Sequence, residues 1–317
     1  MSGTREFLHR VDGIRREAQW VTTRPADLRA ATFLDGRETF WSAQRVEAIA
    51  ARQPEASPAC RMIFHTGFCG STLLARLLDS PGSVLVLKEP QALTDIASQA
   101  AHIPAARTND LLSWTLAQIT AIAPAGEALA IKPSNWVSGL APALVAGGQV
   151  ACAVFLTMEL RPFLRAAFRG GRDRLAHCMR LAELLAPQLE EGEWLMQRAM
   201  ADAADPLDRA ALVVALAHRF QLQLFDRAQD GLLPANTARI DHAELIADRR
   251  AAVQRAATAL GLPPPAENPA GLDLVAHAKD PGRRYSLSEE DEANREIELH
   301  HAHRFDLALD WLEGIRV

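Results

Sequence analysis

Apolar residues along this chain fall into short unbroken runs separated by longer amphipathic stretches. Residues 62 to 64, 84 to 87, 128 to 131 and 150 to 156 are such runs, each bounded by polar or turn residues. Runs of this kind mark strands buried on both faces of a parallel sheet. The stretches between them carry helical spacing: residues 73 to 78, closed by Asp79-Ser80-Pro81-Gly82, and residues 109 to 122. After the fourth run, Phe163, Leu164 and Phe168 share one side of a predicted helix, while Arg161, Arg165 and Arg169 recur every four residues on another. Residues 173 to 230 read as wholly helical, with Asp205-Pro206 as N-cap and first-turn signal for the segment holding Leu212, Leu216, Phe220 and Leu224. A weaker fifth strand is expected at 238 to 241. A helix at 245 to 260 then closes on Gly261 and three prolines, and a last helix at about 289 to 311 carries His300, His301 and His303.

Strands alternating with helices predict an α/β fold, a three-layer α/β/α arrangement around a mainly parallel sheet with right-handed crossovers, plus helical additions. The first 55 residues show only scattered apolar anchors among charges, Trp20, Leu28, Phe33, Phe40 and Trp41, and are expected to form a peripheral helical arm. A short linker at 54 to 59 would join it to the main domain, residues 56 to 317, with a helical insertion at about 173 to 230.

Composition narrows the partners. A net charge of -5 argues against a general nucleic-acid binder, which shows a basic excess. Four cysteines at 60, 69, 152 and 178 form no CxxC pair, so neither a disulfide framework nor structural zinc is expected. The charged N-terminus and the lack of any long apolar run lead to the expectation of a cytoplasmic protein without membrane contact.

The chemistry concentrates in residues 61 to 76, RMIFHTGFCGSTLLAR: a buried strand, a turn from Gly67 to Gly70, and a helix opened by Ser71 and Thr72. Glycines let backbone approach an anion, and successive N–H groups with the positive helix end hold it. The lysine of a GxxxxGK[ST] loop is missing. The second and third strands end on Lys88-Glu89-Pro90 and Lys132-Pro133-Ser134-Asn135. In an open α/β sheet the carboxyl ends of strands carry the ligand, so these clusters and the stretch from Thr157 onward are expected at one edge.

The order of these pieces resembles the sulfotransferase family, P-loop-like proteins that take a sulfuryl group from 3′-phosphoadenosine 5′-phosphosulfate. The family's loop reads roughly P-[RK]-S-G-T-T-x-L and holds the 5′-phosphosulfate. Gly67-Phe68-Cys69-Gly70-Ser71-Thr72-Leu73-Leu74 occupies that frame, with Phe68 where the family places a basic residue. A second likeness is ARIDHAELIADRRAAVQRAATALGLP at 238 to 263, similar to the family's RYEDLLADPEAxLRRLAxFLGLP. The family's R-x-P-x-D-x-x-x-S segment, which reads the 3′-phosphate, corresponds to the frame from Thr157, with Arg161 nearby and Arg165 at the serine position. Gly282-Arg283-Arg284 lies where many members contact that phosphate.

The resemblance implies that residues 67 to 73, Arg161, Arg165, Arg283 and Arg284 bind the donor as co-substrate. It also implies that Lys88 or Lys132 supplies the charge missing at Phe68, that Glu89 serves as base, and that no metal is needed. The acceptor would be a hydroxyl or amine of a small molecule or peptide. Three readings of function stand: a sulfotransferase, a kinase-like phosphotransferase on the same scaffold, and a non-catalytic nucleotide- or anion-binding protein. The arginine stripe admits a phosphate, an acidic substrate or acidic side chains such as Glu190, Glu191 and Glu193 as partner. His300 and His303 admit a metal or a solvated helix face, and Cys69 a reactive thiol or a small filler.

Overall fold

A computed structural model describes the backbone at residues 3 to 49, 59 to 264, 276 to 277, 280 to 284 and 287 to 315. In chain order its elements are β1 (Arg5–Asp12), β2 (Glu17–Thr23), α1 (Pro25–Ala30), β3 (Ala43–Ala48), β4 (Cys60–His65), α2 (Ser71–Leu78), β5 (Val84–Lys88), α3 (Gln91–Gln99), α4 (Ala105–Thr120) and β6 (Ala128–Lys132). There follow α5 (Ala141–Ala146), β7 (Val150–Thr157), α6 (Leu160–Arg169), α7 (Gly171–Leu185), α8 (Gly192–Asp202), α9 (Pro206–Asp230), β8 (Thr237–Asp241), α10 (His242–Ala247), α11 (Arg249–Ala259), β9 (Ala276–His277), β10 (Asp280–Arg284) and α12 (Leu287–Gly314). Two compact units emerge, one of Met1–His65, Gly70–Leu156 and Phe225–Asp273, the other of Thr66–Cys69, Thr157–Leu224 and Leu274–Val317.

The first unit holds the predicted α/β core, a five-stranded sheet in the order β5-β6-β4-β7-β8 flanked by helices. The pairings β5 to β6, β6 to β4 and β4 to β7 are all parallel. Leu85, Val86, Leu87, Ala130, Ile131, Val154, Phe155 and Leu156 are fully buried, as continuous apolar strands require. Phe64 stacks on Phe155 with ring centroids 5.6 Å apart, and Phe225 closes on Phe155 at 5.4 Å. From β4 the chain steps outward to the edge strand β5, returns to β6 beside β4, then crosses to β7 on β4's other side. The order reverses at β4, which is where doubly wound sheets open a crevice.

The N-terminal segment is not the helical arm that its composition predicts. It forms a three-stranded antiparallel sheet, β1-β2-β3, with one short helix, and it belongs to the same unit as the parallel sheet. Asp95 on α3 clasps it there: its carboxylate accepts from the Arg10 side chain at 3.0 and 3.2 Å and from the Val11 backbone N–H at 3.1 Å. The linker expected at 54 to 59 lies, up to residue 58, outside the described residues.

The second unit is helical apart from the pair β9-β10. The α9 start follows expectation, since the Asp205 carboxylate accepts from the N–H groups of Leu207 at 2.7 Å and Asp208 at 2.9 Å. Phe168 of α6 meets Phe305 of α12 edge-on at 5.2 Å. Among the described residues, no helix is long and apolar enough to cross a membrane.

Candidate functional site

The turn after β4 is built from left-handed backbone, with φ of 85° at Gly67, 57° at Phe68 and 81° at Gly70. Glycine takes this conformation without cost, whereas a phenylalanine is strained by roughly 1–2 kcal/mol. Gly70 has a second reason to lack a side chain. A Cβ there would stand 3.0 Å from Leu245 Cδ2 and 3.4 Å from His242 Nδ1. Ser71 and Thr72 open α2 and are buried. Thr66 is fully buried and its Oγ1 has no partner, and His242 Nδ1 is likewise buried without one. The N-terminus of α2, with the unpartnered His242 Nδ1 near Gly70, suits an anion. Cys69 is in no disulfide and has no exposed surface, which fits a small filler. Leu73 is buried in the helix that follows.

The carboxyl edge of the sheet gathers the strand-end charges. Lys88 and Lys132 are register partners on β5 and β6, and each is 1% exposed. Their roles diverge. The Lys132 ammonium donates to the Glu89 carboxylate, and it lies 5.5 Å from the centre of the Phe33 ring. Glu89 takes left-handed backbone, φ 56°, and its N–H donates to the Lys132 carbonyl at 2.6 Å. Only three non-glycine residues in the described chain have positive φ, and Phe68 and Glu89 are two of them. Strain of this kind, 1–3 kcal/mol per residue, persists where surrounding structure imposes it. His65 Nε2 shares a hydrogen bond with the Pro133 carbonyl at 3.0 Å, tying the end of β4 to the turn after β6. Asn135 is buried in that turn.

Lys88 instead donates to the Arg29 carbonyl at 2.7 Å. It joins a cluster in which Arg29 pairs with Asp79 at 2.5 Å and with Glu127. Burial drives its pKa down to about 8, only partly countered by the Asp79 carboxylate. The same burial pushes Asp79 up, against the hydrogen bond from the Val86 N–H and the charge of Arg29. Lys88 thus serves the packing of β5 against α1, and Lys132 is the lysine held beside Glu89.

Sequence spacing gave no sign of what covers this edge. The Leu34 N–H donates to the Lys88 carbonyl at 2.7 Å, bringing residues 31 to 38 across the ends of β5 and β6. Two cations meet the Phe33 ring, Arg37 at 4.1 Å and Lys132 at 5.5 Å from its centre. Arg37 bonds Asp35 at 2.5 Å and reaches Glu89 at 3.4 Å. None of these three residues stands in a recognisable motif; they reach the site only because the antiparallel sheet folds back onto α3.

In the second unit, the arginine stripe of α6 is met by α12. Arg161 bonds Glu298 at 3.1 and 3.2 Å and Asp306 at 2.6 Å, Arg165 lies 3.6 Å from Glu298, and Arg169 bonds Asn294 at 2.8 Å. Acidic side chains do answer the stripe, but from α12 and not from Glu190, Glu191 or Glu193. Arg283 and Arg284 fall on β10, and their side chains lie outside the described residues. His301 packs its ring 5.0 Å from Phe168, and burial with neighbouring Arg304 lowers its pKa.

No family model and no curated protein matches this chain. Among solved structures, the sulfotransferase domain from the curacin biosynthetic pathway is 16% identical, with 78% of this chain and 99% of that chain covered at a TM-score of 0.38. The sulfotransferase from Alicyclobacillus acidocaldarius is 14% identical, with 82% and 97% covered at a TM-score of 0.39.

Proposed function

We propose that the chain is a sulfotransferase-like enzyme that moves a sulfuryl group from 3′-phosphoadenosine 5′-phosphosulfate to a hydroxyl or amine of a small-molecule or peptide acceptor. The observation that carries this reading is the Glu89–Lys132 pair, a carboxylate in strained backbone held by a buried ammonium at the carboxyl edge of the sheet. Transfer of this kind requires a base for the acceptor proton and cations where negative charge builds. Glu89 is the group that takes the proton, and Lys132 orients its carboxylate and offsets the charge. Ser71 and Thr72 at the start of α2 carry hydroxyls suited to the oxygens of a phosphosulfate. The donor supplies an activated sulfur whose bond to the phosphate oxygen breaks as the acceptor oxygen or nitrogen bonds to it.

The test is calorimetric and thermal. Adenosine 3′,5′-bisphosphate at about 100 times its dissociation constant should add about 2.7 kcal/mol of stability. In a chain of this size that corresponds to a rise in Tm of several degrees. Glu89→Gln should retain nucleotide binding while turnover falls by a factor on the order of 10²–10⁴, the usual worth of a positioned base. No binding at millimolar nucleotide would overturn the reading, and undiminished turnover in Glu89→Gln would remove Glu89 as base.

A further inference from the structure

Within the first unit, a cavity of about 580 Å³ opens between the end of β2, α1 and the segment that leads into β3. That volume suits a small molecule. Its wall carries three charged side chains, Arg24, Asp27 and Glu38, and two aromatic rings, Phe40 and Trp41. Hydrogen bonds fix the wall in place: the Thr23 hydroxyl donates to the Phe40 carbonyl at 2.5 Å, and the Ser42 N–H to the Thr22 carbonyl at 2.9 Å. The charges do not cancel. Arg24 is committed to Asp27, whose carboxylate accepts from its Nε at 2.8 Å and its Nη2 at 2.7 Å. Glu38 is left over. One of its oxygens accepts the Thr32 N–H at 3.1 Å, and among the described residues no cation pairs with it. Arg37, Arg76 and Lys88 act on it only through space.

Trp41 stands three residues further on, partly exposed, with its ring centre 4.8 Å from that of His9 and 4.8 Å from that of Phe40, the latter edge-on. Burial, joined by the charge of Arg10, lowers the His9 pKa to about 4. The imidazole against the indole is therefore neutral at neutral pH and does not compete for the negative face of the ring. A carboxylate without a paired cation, beside a braced indole, is the chemistry that holds an ammonium. The carboxylate takes its N–H groups, and the ring attracts its charge. We propose that this cavity binds an amine-bearing small molecule, with the Glu38 carboxylate accepting from the ammonium and Trp41 as the platform beneath it. Nothing in this arrangement depends on a sulfuryl donor.

The probe is 2-phenylethylamine, with 2-phenylethanol as its uncharged counterpart. Each is titrated against the full chain without nucleotide, by calorimetry and by NMR of the indole N–H groups. The amine should bind on the order of ten-fold or more tightly than the alcohol, as a charge-assisted hydrogen bond implies. Of the six tryptophans, the one whose indole signal is missing from Trp41→Leu should be the one that shifts. Glu38→Gln keeps an oxygen for the Thr32 N–H and removes only the charge, so it should weaken amine binding on the order of ten-fold. Trp41→Leu should weaken it several-fold. If Trp41→Leu does not fold, Trp41→Phe identifies the signal in its place, and Glu38→Gln, at an exposed residue, carries the affinity test. No binding of the amine at millimolar concentration overturns the proposal. So does equal affinity for amine and alcohol, or an amine affinity in Glu38→Gln within two-fold of wild type. A shift confined to other indole signals puts the amine elsewhere and overturns it too. With no nucleotide present, these failures leave the donor reading untouched, and a protein that binds the amine but not adenosine 3′,5′-bisphosphate keeps this site while losing that reading.

Discussion

At the scale of single residues, the two register-paired lysines show how burial and partner choice divide alike side chains into different work. Lys132 is matched by a carboxylate; Lys88 has a carbonyl and sits among Arg29, Arg76 and Asp79. The consequence is a pH dependence of known sign. In the unfolded chain the Lys88 amine gives up its proton near 10.5, and in the folded chain near about 8. Below the lower value both states are protonated and the fold bears the full cost of the buried ammonium; above the higher value neither does. Stability should therefore rise as pH goes from 8 to 10.5, by on the order of 3 kcal/mol from this residue. Cys60 and Cys178, pushed by burial from 9.0 up to about 12, pull the opposite way over the upper part of that range. Comparison with Lys88→Met isolates the lysine: urea unfolding at pH 7.5, 9 and 10.5 should show the variant gaining on wild type at the low end and losing that advantage at the high end. A constant difference across the three pH values would refute the assignment.

At the scale of elements, the antiparallel sheet is the piece that turns an open strand edge into a covered one, and Asp95 helps hold it, alongside Gln99, Arg107 and Arg5. Asp95 is 7% exposed and receives the Arg10 guanidinium, the Val11 N–H and the Gln91 side-chain amide. Asp95→Ala leaves those donors without an acceptor and should cost roughly 3 kcal/mol in chemical unfolding, as lost hydrogen bonds to a charged group do. Glu6→Ala, which removes a solvent-exposed pair with Arg45, should cost under about 1 kcal/mol. Equal costs would mean that the clasp is not what holds β1. This element escapes sequence reasoning for physical reasons. In β1 the register shifts between Leu8 and Arg10, so Phe7, Leu8 and His9 are all buried and the alternation of a strand is lost. No residue of β3 is buried, so nothing apolar marks it. The turn between β1 and β2 places Arg16 at φ 62° where an Asn-Gly pair would have signalled a hairpin. The parallel strands, by contrast, were legible because burial on both faces leaves only apolar residues to write them. The loop and the strand-end charges were legible too, since they follow those strands directly in sequence. Arg37, Phe33 and His242 were not, because each comes to its place through packing between elements distant in the chain.

At the scale of the whole molecule, neither unit is one continuous stretch, and the second is completed only by the last helix. Three arginines four residues apart on α6 repel one another unless paired, and Glu298, Asp306 and Asn294, which meet them, lie on α12. Phe168 and Phe305 join the same two helices through their rings, and Phe305 has no exposed surface. Arg304 adds contacts with Asp205 and Asp208 at the start of α9, both at 3.2 Å, and the Trp311 indole donates to Asp202 at 2.9 Å. A chain ending at residue 264 loses all of these at once, uncovering Phe168 and leaving the arginine stripe unopposed. The sheet of the first unit makes its pairings without α12. Hydrogen exchange on the truncated chain should then show rapid exchange through residues 160 to 185 with protection retained in β4, β5 and β6, accompanied by binding of a hydrophobic dye. Intact protection across residues 160 to 185 would show that α6 and α7 pack stably without the final helix. Loss of protection in both regions would show instead that the two units fold as one cooperative block.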